Sequence, residues 1–131
     1  MRTMHIHTFP KSPFYIKAQE IFRLSRGIAS YLINDITIRD PHNYEDPTLY
    51  LTGDMVQQSV ALGPEILKAE QHLFQEEKHK HIATVERLSK LLHANCKRLE
   101  KTHSNGKDFL PILRKELKKF RTLQHTWLLT L

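Results

Sequence analysis

Nine histidines and a single cysteine, Cys96, are the side chains best suited to ligate a metal or attack a substrate, and their spacing decides which chemistry is open to them. The most metal-like spacing is Glu76-Glu77-Lys78-His79. Glu-x-x-His sets a carboxylate and an imidazole on one helical face, the unit that carboxylate di-iron bundles use in duplicate. A di-metal site needs a second such unit and two further inward carboxylates, and the sequence supplies neither. His79-x-His81 and His5-x-His7 suit chelation from a strand, since residues two apart on a helix face away from each other, and both pairs fall in segments that read as solvated. His72 shares a face with His79 only if one helix runs through both. Cys96 follows His93 by three residues, a spacing that brings a thiol and a base together on one helix. It falls on an apolar seam, however, where a thiol packs as a small inert side chain. No Gly-rich phosphate loop, nucleophile elbow or zinc-spaced cysteine set occurs. The sequence therefore predicts no catalytic residue, no metal site, no cofactor and no enzymatic activity.

Charge carries more information. The formal net charge is +6, but residues 1–75 carry −1 and residues 76–131 carry +7. Arg114, Lys118 and Arg121 share one flank of the last predicted helix, and Lys115 and Lys119 another. Lys97, Arg98 and Lys101 crowd the end of the helix before it, where Arg87 and Lys90 also lie off the apolar seam. Cations near a helix C-terminus complement its dipole, so the second cluster has a structural reason of its own. As a phosphate-contacting surface the whole set would bind by charge, with steep salt dependence and little sequence preference. The alternative is an ordinary solvated face that serves solubility.

The elements that must position these residues are helices. With 4 Gly and 6 Pro against a hydrophobic share of 40% and a charged share of 26%, the chain is too apolar for disorder and too poor in turns for a many-stranded sheet. Its 131 residues suit one domain, which we place at 12–131 behind a flexible segment, 1–11. That segment carries His5, His7 and Pro10 where a signal peptide needs an apolar run, and no stretch approaches the roughly 20 apolar residues of a membrane span. A lone cysteine suits a reducing compartment, so the expected location is cytoplasmic, with no membrane partner.

The first helix is expected to start at a Ser12 cap with Pro13 in first position, and Phe14, Ala18, Ile21, Ser25, Ile28, Leu32 and Ile36 form its seam. The second begins at the Asp46-Pro47 cap or at Thr52, runs its seam through Leu49, Val56, Val60, Gly63, Leu67 and Phe74, and is expected to kink at Gly63-Pro64. The polar run Gln75–His81 offers no face to bury and is the expected turn into the third helix, one long helix being the alternative. Ile82, Val85, Leu88, Leu92, Cys96 and Leu99 line the third, which closes at His103-Ser104-Asn105-Gly106. Asp108 is the expected cap of the fourth, whose seam is Leu113, Leu117, Phe120, Gln124, Trp127 and Leu131. Four such segments on short connections predict an all-α, antiparallel up-down-up-down four-helix bundle. Phe22, Ile33, Leu62, Ile66, Leu110 and Leu128 flank the seams. They form either a broad core face or a subunit interface of a homo-oligomer.

Three motifs carry a family resemblance: Leu-x-Gly-Asp-Met-Val-Gln-Gln at Leu51 to Gln58, Pro64 followed by Ile66, Leu67 and Ala69, and Leu-x-x-x-Trp at Leu123 to Trp127. Over roughly residues 14–131 the chain resembles the four-helix-bundle family that includes the proteins encoded in 23S rRNA intervening sequences and the accessory variability determinants of diversity-generating retroelements. Where the intervening-sequence proteins read S-I-P-S-N-I-A-E-G, this chain has L-G-P-E-I-L-K-A-E, the mark of a divergent branch. The resemblance implies a homopentamer whose positively charged surface suits RNA, DNA or a reverse-transcriptase partner. It brings no catalytic residues. The expected function is a non-enzymatic oligomer touching nucleic acid, or a nucleic-acid enzyme, through the third and fourth helices; the alternative is a protein-recruiting scaffold with no nucleic-acid role.

Overall fold

The computed structural model describes residues 11–39, 42, 46–102 and 108–131. They form four helices, α1 (Pro13–Arg39), α2 (Pro47–Gln71), α3 (Gln75–Thr102) and α4 (Leu110–Thr130), with no strand among the described residues. Each helix packs on the next and α4 closes back on α1, giving the all-α four-helix bundle. No helix among the described residues is long and apolar enough to cross a membrane. The segment 1–10, Asp40-Pro41 and the turn expected at His103–Gly106 lie outside the described residues.

Where apolar spacing is regular, sequence and structure agree. All seven expected seam residues of α1, from Phe14 to Ile36, are buried. The helix starts where Ser12 accepts a hydrogen bond from the Tyr15 amide at its side-chain Oγ (3.1 Å) and from the Ile16 amide at its carbonyl (3.0 Å). Asp46 caps α2 through a 2.8 Å bond from the Thr48 amide to its Oδ1, which settles that helix's start.

The seam of α2 is corrected. It buries Thr48, Thr52, Met55, Ser59, Leu62, Gly63, Ile66 and Ala69, leaving Val60 46% exposed and Phe74 beyond the helix. Hydroxyl groups explain the difference. Thr52 Oγ1 donates to the Thr48 carbonyl (2.8 Å) and Ser59 Oγ to the Val56 carbonyl (2.9 Å), so both polar residues satisfy themselves within the helix and can face the core. Leu62 and Ile66, and Leu110 on α4, are each 0% exposed. Assigned from sequence to a possible subunit interface, these three belong to the bundle's own core. Of the other flank residues, Ile33 is exposed, while Phe22 and Leu128 are half-buried. The helix is continuous through Pro64, which stands on the exposed side together with Val60, whose carbonyl loses its amide partner. Gly63 is needed at a close approach, since a Cβ there would lie 3.3 Å from Tyr15 Cε1 on α1.

The break between α2 and α3 also falls earlier than the polar run suggests. His72 has extended backbone and ends α2 by donating its amide to the Lys68 carbonyl (3.1 Å). Helix α3 then opens with Gln75, placing Glu76 and Glu77 in its first turn against the positive end of the helix dipole. A run with no apolar face is thus a helix start rather than a turn. Asp108, the expected cap of α4, lies in a short turn ahead of the actual N-cap Phe109, which makes no side-chain capping bond. Pro111 does sit in the first turn, where no amide donor is needed.

One end of the bundle is fastened by a single carboxylate. Glu70 Oε2, near the end of α2, accepts hydrogen bonds from Ser12 Oγ (2.6 Å) and from Trp127 Nε1 (2.8 Å). Above it Phe14 stacks on Phe120 (centroids 4.2 Å apart) and packs against the Trp127 ring (4.6 Å).

Candidate functional site

Helices α3 and α4 pack on each other, and a surface groove runs between them, lined by side chains of both. Its wider compartment, about 490 Å³, is lined by His93 and Lys97 from α3 and by Pro111, Arg114, Lys115, Lys118 and Arg121 from α4. A narrower compartment, about 270 Å³, is lined by Glu86, Ser89 and Lys90 from α3 and by Arg121, Gln124, His125 and Leu128 from α4. Arg121 lines both. Residues three, four and seven apart repeat along one flank of each helix, which is how two helices present a continuous row of side chains to a shared groove.

Six of the ten cations singled out from sequence line this groove: Lys90, Lys97, Arg114, Lys115, Lys118 and Arg121. Arg87, Arg98 and Lys101 are exposed elsewhere on α3 and line neither compartment. Lys119 turns to the α1 side, where it bonds Glu116 Oε2 (3.0 Å) while Lys17 holds Glu116 Oε1 (2.9 Å). These two ammonium groups hold the Glu116 carboxyl below its ordinary range. Within the groove Arg114 Nη2 lies 3.2 Å from Glu100 Oε1, a partial neutralisation at its α3 edge.

Six lining residues, Glu86, Ser89, His93, Pro111, Gln124 and His125, are not among the basic or interface residues singled out from sequence. His93 enters the sequence reading only as a partner for Cys96 and Gln124 only as a seam position of the fourth helix, which the structure corrects by placing it on the groove; Glu86, Ser89, Pro111 and His125 carry no motif of their own. For His93, Gln124 and His125 the signal is positional, since His93 lies four residues from Lys97, and Gln124 and His125 lie three and four from Arg121, on their own helices, whereas Ser89, next to Lys90, has no such spacing. Two polar atoms here are buried without a partner among the described residues, Ser89 Oγ and His93 Nδ1. Such atoms cost free energy unless something binds them.

The other sequence candidates fall apart spatially. Cys96 is 0% exposed, and burial, with Glu100 adding to it, pushes its thiol up to about 12, so it stays protonated near neutrality. Glu76 and His79 are exposed, and no group of three His, Cys, Asp or Glu among the described residues could hold a metal. His81 is not the solvated residue expected: it is half-buried, hydrogen-bonded to Glu65 through Nδ1 and stacked on His72 at 5.1 Å.

His93 reports on the groove's field. Burial first, then the charges of Arg121, Lys97 and Arg114, lower its pKa from the ordinary value of 6.5. The unfolded chain therefore binds more protons at this site than the folded one as pH falls below about 6.5, and stability falls with it. In urea denaturation at about pH 7.5 and pH 5.5, wild type should lose more stability on acidification than His93→Gln. Equal losses would show that His93 is neither desolvated nor facing the cations.

Compared with protein-family models, curated proteins and solved structures, the chain has no match.

Proposed function

We propose that this protein is a non-enzymatic, oligomeric four-helix bundle that contacts nucleic acid, or a nucleic-acid enzyme such as a reverse transcriptase, through the basic groove between α3 and α4. The observation that supports this reading is the convergence of six cations from two helices on one groove. Among the described residues only Glu86 lines it as an acid, and Glu100 touches it through Arg114. Solvated faces need no such convergence, whereas a row of phosphates spaced along a backbone does. A pentameric assembly and a cytoplasmic location belong to the same proposal, the first by resemblance and the second from the lone cysteine.

Binding to generic RNA or DNA oligonucleotides, followed by fluorescence anisotropy, tests it. With about four phosphate contacts, affinity should fall roughly fifty- to 150-fold between about 50 and 200 mM salt. Replacing Arg114, Lys118 and Arg121 together by Ala should reduce the slope of log affinity against log salt by about 2. Salt-independent binding, or none at low salt, overturns the proposal.

A second reading, the protein-recruiting scaffold, is favoured by apolar side chains left in the open. Tyr50 is 63% exposed on α2, and Leu73 and Phe74 between α2 and α3 are 88% and 75% exposed. Surfaces of this kind are commonly covered by a partner.

A further inference from the structure

We infer that the α3–α4 groove takes a single strand, with phosphates in the wider compartment and one unstacked base in the narrower one. The inference rests on the nucleic-acid reading above and adds to it the form of the ligand. The two compartments differ in chemistry. Among the described residues the wider one is lined by five cations and no carboxylate, Glu100 reaching it only through Arg114, and this suits consecutive phosphates. Beyond Arg121 the character changes, since the narrower one places the Glu86 carboxylate, the Gln124 amide and the Ser89 hydroxyl beside Leu128 and the His125 ring.

A second phosphate fits that narrower space poorly because Glu86 would repel it. A base fits well. Carboxylates accept from exocyclic amino groups, and a side-chain amide donates to and accepts from a base edge at once. An imidazole and a leucine side chain supply surface for a flat ring. Ser89 strengthens the argument: only 2% exposed, it lines this compartment, and its Oγ has no partner among the described residues. A buried hydroxyl left unpaired destabilises the fold, and a ligand edge that bonds it removes that cost. A duplex keeps its bases paired and stacked and offers such a compartment only backbone, whereas a single strand can turn a base out.

The test compares three probes at low salt: a mixed-sequence single-stranded oligonucleotide, a duplex of the same length, and an abasic single strand with the same number of phosphates. The single strand should bind about tenfold more tightly than either of the others, as one held base implies. Ser89→Ala and Gln124→Ala should each remove most of that preference and leave binding of the abasic strand unchanged. Ser89→Ala should also unfold at a higher urea concentration than wild type, because it deletes the unpaired hydroxyl. Equal binding of the normal and abasic strands, or tighter binding of the duplex, overturns the single-strand inference and leaves the basic-groove reading standing. Absence of binding by all three probes overturns both.

Discussion

Trp127→Ala should lower the stability of the bundle by about 3 to 5 kcal/mol, the usual cost of truncating a buried aromatic side chain. A domain of this size is stable by only about 5 to 15 kcal/mol, so much of the population would be unfolded at moderate temperature. Two effects combine. Trp127 is 3% exposed and packs on Phe14, which itself stacks on Phe120, so its loss opens the aromatic end of the core. Its Nε1 also donates to Glu70 Oε2, and the truncated protein keeps a half-buried carboxylate with Ser12 as its remaining donor. Trp127→Phe separates the effects by keeping the ring and removing the donor, and should cost about 1.5 to 3 kcal/mol, the range for a hydrogen bond to a charged group. Because Trp127 is the only tryptophan, far-ultraviolet circular dichroism in a urea titration is the appropriate probe. A loss below about 1 kcal/mol for Trp127→Ala would mean that this end of the bundle is not packed as described.

That fastening was only half legible in the sequence. The seam of α4 identified Trp127 as a core residue from heptad spacing alone, and the Ser12-Pro13 pair identified the start of α1. Glu70 gave no signal, because a single acidic residue near a helix end looks like any solvated one. Its role depends on three chain segments, 12, 70 and 127, meeting at one end of the bundle, and no local pattern encodes that meeting. The errors in α2 have the same origin. Periodicity detects apolar residues, whereas Thr48, Thr52 and Ser59 face the core as hydroxyl residues, with Thr52 and Ser59 bonded to their own helix. Ranking Val60 above Thr52 was a correct reading of hydropathy and a wrong reading of burial.

The groove was legible in part for a related reason. Clusters of Lys and Arg are visible as composition, and Arg114, Lys118 and Arg121 follow from helical spacing on one flank. Which of the α3 cations would join them depends on the rotation of α3 about its axis relative to α4. That rotation brings Lys90 and Lys97 into the groove and leaves Arg87, Arg98 and Lys101 outside it. The polar and uncharged members, Ser89 and Gln124, matter only once a groove exists to give them a shared space.

The same distinction between core and surface separates two substitutions that sequence spacing treats alike. Leu62→Ala should cost about 2 to 5 kcal/mol, since Leu62 is 0% exposed and its methyl groups would leave a cavity between α2 and its neighbours. Phe22→Ala should cost far less, because Phe22 is half-buried on the surface of α1 with Arg26 over its ring at 5.5 Å. Any effect of Leu62→Ala on assembly would then follow from unfolding, and sedimentation should show loss of folded protein rather than a clean shift to smaller species. Phe22→Ala can report on association itself. If the bundle assembles through the outer flank of α1, this variant should sediment as a smaller species with its circular dichroism unchanged. Full stability of Leu62→Ala combined with an altered oligomer would return Leu62 to the surface and contradict the packing of α2. A wild-type protein that stays monomeric at high concentration would remove the pentamer and the self-assembling form of the scaffold together, leaving the α3–α4 groove to act from a single bundle.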